Sequence, residues 1–191
     1  MPATTLRSLA IVLALTFTAP LPARSAATED AKPVLVRGDA YAFLVDTPPG
    51  WQHDCETLAD DGICALFYRP GESFTTAPVV LYVNPREPDS LGLEHAIARD
   101  VADLREKAPA VVMRDEPPLY ARFQRPVLVR RFEHAGGAGT TELAGYLAEK
   151  TCTILFVASA KTPDDLERAH AAFARLVQSY DWITDRVSTV R

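Results

Sequence analysis

The segment HDCETLADDGIC, residues 53–64, sets one histidine, two cysteines and four carboxylates within twelve positions. Three chemistries are open to such a cluster. Asp54, Glu56, Asp60 and Asp61 can offer oxygen ligands to Ca²⁺, a hard cation suited to carboxylates. Their spacing is not that of an EF-hand loop, which needs ligands at alternating positions, a central glycine and a terminal glutamate. His53, whose ordinary pKa lies close to neutrality, can act as a general base if Asp54 or Asp61 orients it. Cys55 and Cys64 can close a ten-residue loop, worth about 2.5–3 kcal/mol in the chain-entropy account. Three cysteines allow three single pairings. Cys55–Cys64 is favoured because Cys152 lies in TCTILFVAS, a strand-like run where a free thiol packs as a small hydrophobe. The odd cysteine can instead be a reactive thiol or join two chains.

No catalytic constellation surrounds these residues. His53, His95, His134 and His170 come without G-x-S-x-G or H-E-x-x-H, and no cysteine sits beside a helix start. The Cys55–Cys64 spacing is wrong for zinc, and GGAG lies between two strands rather than between strand and helix, where phosphate is cradled. No catalytic, cofactor or metal residue is assigned. Binding is carried by other groups. Arg114, Arg122, Arg125, Arg130 and Arg131 form a basic stretch that can receive an anionic partner through bidentate contacts, or can simply be the polar side of strands. Trp51 can anchor a partner or plug the edge of a core. The candidate partner-binding residues are Trp51, Asp60, Asp61, Arg122, Arg125 and Arg130.

The elements that must position them are legible from periodicity. Residues 28–38 show no clear pattern and read as a flexible arm. Tyr41–Val45 reads as a strand running into a type II turn at Pro49–Gly50. Cys64–Pro70 and the uninterrupted apolar run Pro78–Val83 are strands, the second covered on both faces. SLGLEHAIARDVADLREKA is a helix that Ser90 can cap, with Leu93, Ile97, Val101 and Leu104 on one stripe. Strands follow at Ala110–Asp115 and Pro126–His134, a turn at AGGAG, then TTELAGYLAE and CTILFVAS around a two-residue Lys150–Thr151 connection. TPDDLERAHAAFARLVQSY is the clearest helix: Thr162 caps it, Pro163 opens it, and Asp164 and Asp165 face its positive end. About seven strands with central runs apolar on both sides, and two long helices, predict an α+β chain. The architecture is a three-layer α/β/α sandwich around a mainly antiparallel sheet.

The opening MPATTLRSLAIVLALTFTAPLPARSAATED has a basic start, a short apolar stretch and small residues before Ala27, the layout of a secretory signal peptide over residues 1–27. Cleavage there removes Arg7 and Arg24 of the chain's 20 basic residues and none of its 25 acidic ones, leaving a net charge of −7. Such a surface repels phosphate backbones, so nucleic acid is a poor partner. No later segment approaches membrane-spanning length. The remaining chain, residues 28–191, suits one domain, the arm at 28–38 preceding a compact unit at 39–191.

The early strand ending in DTPPGW, two further strands, a helix, a strand meander and a last helix running into FARLVQSYDW resemble the PsbP-like fold superfamily. That superfamily includes a photosystem accessory subunit, a Ran-binding nuclear import factor and exported bacterial proteins of the DcrB type. The resemblance implies a non-catalytic accessory or binding role, and it places no partner residue on this chain. The expectation is an exported, periplasmic or secreted monomer that contacts an envelope protein or a small ligand, without cofactor. The competing expectations are an exported enzyme built on His53 with loop carboxylates, and a calcium-dependent structural module.

Overall fold

The computed structural model describes residues 32–136 and 140–187. The signal-peptide segment, the first residues of the expected arm and the centre of the AGGAG turn lie outside the described residues. Ten strands and two helices follow in the order β1 (Pro33–Gly38), β2 (Tyr41–Asp46), β3 (Gln52–Asp54), β4 (Ala65–Tyr68), β5 (Val79–Arg86), α1 (Leu93–Lys107), β6 (Val112–Ala121), β7 (Arg125–Glu133), β8 (Thr141–Ala148), β9 (Thr153–Ala160), α2 (Pro163–Ser179) and β10 (Asp181–Thr184). Seven strands make one sheet in the order β3-β4-β5-β9-β8-β7-β6, and β1-β2-β10 make a second, smaller one. Every pairing is antiparallel.

The large sheet is covered on both faces, as its doubly apolar strands require. Val79, Leu81 and Val83 of β5, Leu143 and Leu147 of β8, and Ile154, Phe156 and Ala158 of β9 point to one side. There they meet Leu166, Ala169, Phe173, Leu176 and Val177 of α2, together with Val34, Val36, Phe43 and Val45 of the small sheet. The alternate residues Ala144, Tyr146, Leu155 and Val157 face Ile97 and Val101 of α1. The three-layer α+β expectation holds, with one helix on each face. At Gly145 a Cβ would stand 3.0 Å from Val127 Cγ1 and 3.4 Å from the Phe173 ring, so the missing side chain lets α2 settle against β8.

Several expectations need correction. Residues 33–38 are not an arm: Val34 and Val36 alternate inward, and β1 pairs with β2 along its whole length. The strand at Tyr41 leaves the main sheet for the small one, and β3 takes its place. Ser90 does not cap α1, which starts after Gly92 at φ 97° with no side-chain cap. Asp89 organises that entry instead, accepting from the Leu91 N–H at 2.9 Å and pairing with His95 at 2.8 Å and Arg99 at 3.0 Å. The strand expected to stop at Asp115 continues to Ala121 through Pro117 and Pro118. This is possible because β6 is an edge strand, and its register shifts between Glu116 and Leu119 where prolines cannot donate. α2 begins as expected: the Thr162 hydroxyl accepts from the Asp165 N–H at 3.2 Å.

Phe173 is fully buried between α2 and the centre of the sheet. Phe173→Ala is expected to lower unfolding free energy by about 3–5 kcal/mol, read from urea denaturation. A loss below ~1 kcal/mol would show that this face does not hold the layers together.

Candidate functional site

The cysteine loop forms as the spacing predicts. Cys55 directly follows β3, Cys64 directly precedes β4, and a disulfide joins them. Inside it a short helical turn, Ala59–Asp61, ends on Gly62 at φ 75°. The chemistry expected there does not assemble, because the side chains satisfy one another. The Asp54 carboxylate accepts from the Glu56 and Thr57 N–H groups at 2.7 and 3.0 Å, and from the Thr57 and Tyr68 hydroxyls at 2.6 Å each. Burial pushes its pKa up, but these four hydrogen bonds outweigh it and hold Asp54 well below the usual carboxylate range. His53 is exposed, and its Nε2 lies 2.7 Å from the Cys64 carbonyl rather than against a carboxylate. Asp60 and Asp61 are exposed on the turn. Among the described residues the loop acids form no converging ligand group. His53 does cluster with the two sulfurs, but these are bonded to each other. Cys152 is buried, and burial pushes its thiol pKa up to about 11, the state of an inert packing residue.

The arginine stretch is likewise committed within the chain. Arg114 pairs with Glu133, Arg122 with Asp181, and Arg125 with Glu149, which also accepts from the Tyr180 hydroxyl at 2.7 Å. Arg130 holds Asp115 at 3.1 Å and reaches toward Glu94 at the start of α1. Arg131, on the opposite face, holds Glu116 and, at 2.8 Å, Glu167 of α2. Trp51 is 7% exposed within the α2-side core, and the Arg69 guanidinium lies 4.8 Å from its ring centre. It is a plug, not an exposed anchor.

The site lies beneath α1, where the sequence offered no motif. Strand register builds its floor. Tyr82 of β5 stands opposite Val157 of β9, which stands opposite Ala144 of β8. One row away run Ser159, Glu142 and Phe132; on the other side run Leu155 and Tyr146. Small Ala144 among these larger neighbours leaves a hollow of about 220 Å³, roofed by Asp100, Asp103, Leu104 and Lys107 of the C-terminal half of α1, with Arg86 at its rim. Arg86 is spent on Asp100 at 2.7 Å. Glu142 accepts from the Ser159 hydroxyl at 2.7 Å. Burial pushes its carboxyl pKa up, against the weaker pull of that hydroxyl. Burial also raises the Tyr82 and Tyr146 phenols, keeping both neutral, and raises Asp100 against the pull of Arg86. Neutral phenols and a carboxyl displaced toward neutrality, lining one hollow, are groups disposed to hold a small molecule. The missed signal was Glu142 itself, an acid in TTELAGYLAE, a strand of the expected meander that the structure places inside the sheet.

A second unusual feature is the β6–β7 turn. Phe123 and Gln124 both adopt left-handed backbone, φ 59° and 57°, and the Phe123 ring is 87% exposed. Half-exposed Tyr120 lies beside it.

No family model and no curated protein sequence matches the chain. Solved structures do. PA94 of Pseudomonas aeruginosa, a protein of unknown function, is 12% identical with TM-score 0.50, over 82% of this chain and 99% of its own. A variant of the protein Mog1 is 11% identical with TM-score 0.50, over 83% and 97%. The cyanobacterial PsbP (CyanoP) of Synechocystis sp. PCC 6803 is 16% identical with TM-score 0.48, over 85% and 99%. The first two likenesses show a shared fold and nothing about activity. Among the described residues no helix is long and apolar enough to cross a membrane.

The electrostatics of the hollow can be tested directly. An acid whose pKa is raised by folding binds more protons folded than unfolded, so stability is lost as pH rises from the unfolded carboxyl value to the folded one. Glu142→Gln keeps the shape and can still accept from Ser159 without the charge. Its melting temperature is expected to exceed that of the parent near pH 7, with the difference vanishing below about pH 4. A difference independent of pH would contradict the burial of this carboxyl.

Proposed function

We propose that this protein is an exported, non-catalytic binding domain whose ligand occupies the hollow between α1 and the seven-stranded sheet. The observation that carries the reading is the gathering of Glu142, Tyr82 and Tyr146 around Ala144, polar groups on central strands beneath a helix. The Glu142 carboxylate accepts from the Ser159 hydroxyl, and its remaining lone pairs are what a ligand can engage. No step of catalysis is assigned to His53, whose nearest polar partner is a backbone carbonyl. Export to the periplasm or beyond the cell is supported by the signal-peptide pattern and by the disulfide, which persists in oxidising compartments. The DcrB-type resemblance belongs to the same reading.

Contact with an envelope protein is the second reading, favoured by one specific observation. Type I′ hairpin turns want asparagine and glycine, because side chains resist positive φ. Phe123 occupies such a position with its ring in solvent, the reverse of what stability alone would choose.

Two experiments test these readings. In an NMR screen of small metabolites, binders are expected to shift the amides of β5, β8 and the second half of α1. Ala144→Leu, which fills the hollow, should abolish those shifts while the protein stays folded; binders indifferent to that change would sink the ligand site. Replacing Phe123 and Gln124 by Asn and Gly is expected to stabilise the chain by about 1–2 kcal/mol. The same replacement should remove the principal envelope-protein crosslink of the parent. Crosslinks unchanged by it would remove the turn from the interface.

A further inference from the structure

We propose that the hollow beneath α1 takes a small organic ammonium, held among the rings of Tyr82, Tyr146 and Phe132 with its charge against Glu142. This deepens the ligand-site reading and rests on it. Charge balance is the first argument. Arg86 is bound to Asp100 at 2.7 Å, whereas Glu142 has no basic partner among the described residues and only the Ser159 hydroxyl on its carboxyl. The lining as a whole carries three carboxylates, Asp100, Asp103 and Glu142, against two cations, Arg86 and Lys107, so one more cation is the charge the hollow lacks. The second argument is the helix above it. The roof residues Asp103, Leu104 and Lys107 belong to the last turns of α1, where the aligned peptide dipoles present their negative end. An anion placed there would face that end and Glu142 together.

The third argument is the aromatic lining. Three aromatic residues of the α1 side line the hollow, and ring faces attract cations, most strongly when water is excluded. Size narrows the class further. About 220 Å³ falls below the roughly 300–1,000 Å³ of pockets for drug-sized molecules, so the ligand is a compact ammonium rather than a peptide or polyamine chain. Burial of Glu142, which raises its pKa, agrees with a carboxyl awaiting a counter-charge.

The test compares three probes of nearly one shape on the full chain: choline, its uncharged carbon isostere neohexyl alcohol, and tert-butylacetate. Amide shifts and titration calorimetry give site and affinity. Choline is expected to bind in the hollow at least tenfold more tightly than the alcohol, with tert-butylacetate not binding. Glu142→Gln should weaken choline by at least tenfold while raising the melting temperature, which separates loss of the counter-charge from unfolding. Equal or tighter binding of the alcohol or the anion in the hollow overturns the ammonium assignment and leaves the ligand site standing. Choline failing to bind overturns the assignment too. If metabolite binders blocked by Ala144→Leu are then found, the ligand site survives it; if none is found, both fall.

Discussion

Everything in this fold depends on the register of β8 against β9, running from Thr141 opposite Ala160 to Ala148 opposite Thr153. Successive side chains of a strand point to opposite faces, so this register sends Leu143 and Leu147 to α2 and Glu142, Ala144 and Tyr146 to α1. In a sheet with one wet face a slip of one residue is opposed by one layer only. Here both faces are covered, and a slip would press Glu142 against Phe173 while turning Leu143 toward the hollow. Gly145 adds to this, because even a Cβ there would stand 3.0 Å from Val127 Cγ1 and would require Val127 to give way. The hollow is therefore a product of the sheet itself and needs no loop to shape it.

Charge is distributed in two ways across this frame. Consecutive residues Arg130 and Arg131 point to opposite faces and each reaches one helix, Glu94 of α1 and Glu167 of α2. Those glutamates are largely exposed, so such pairs contribute at most about 1 kcal/mol apiece. They orient helices more than they stabilise the fold. Glu142 is the contrary case: a half-buried acid with a hydroxyl for company and, among the described residues, no ion-pair partner. The apolar face opposite, with Leu166, Phe173 and Leu176 fully buried, supplies the stability that lets such a group be tolerated.

What the sequence disclosed follows the range over which each signal acts. α2 was legible to the residue because Thr162, Pro163 and the apolar stripe are local. The stripe of α1 was equally clear, but its start was not, since Gly92 and the Asp89 network act through backbone geometry and through residues one turn further on. β1 hid because only Val34 and Val36 of its six residues point inward, and β3 because three residues carry no period. Periodicity identifies strands without naming their neighbours, so the division into two sheets was invisible. The same limit explains the site. Glu142 in TELAGYLA looks like an outward residue of a half-wet strand until both faces are known to be covered. In the cysteine loop the failure ran the other way. Reactive residue types were dense there, yet Asp54 was already saturated by Thr57, Glu56 and Tyr68, leaving His53 nothing to work with.

The ends of the large sheet separate structural devices from functional ones. An open edge invites pairing with other chains, and both edges are blunted. On one side β3 is three residues long and is tied to β4 by the disulfide, which replaces a tight turn and makes the cysteine loop a brace. On the other, β6 carries Pro117 and Pro118 at a register shift. Edge protection accounts for the prolines and the disulfide, and ion pairing accounts for the arginines. It does not account for an aromatic ring at positive φ on the β6–β7 turn, where glycine or asparagine would fold with less strain. That side chain weakens its own turn and touches little of its own fold, and this is the ground on which partner contact is proposed for it.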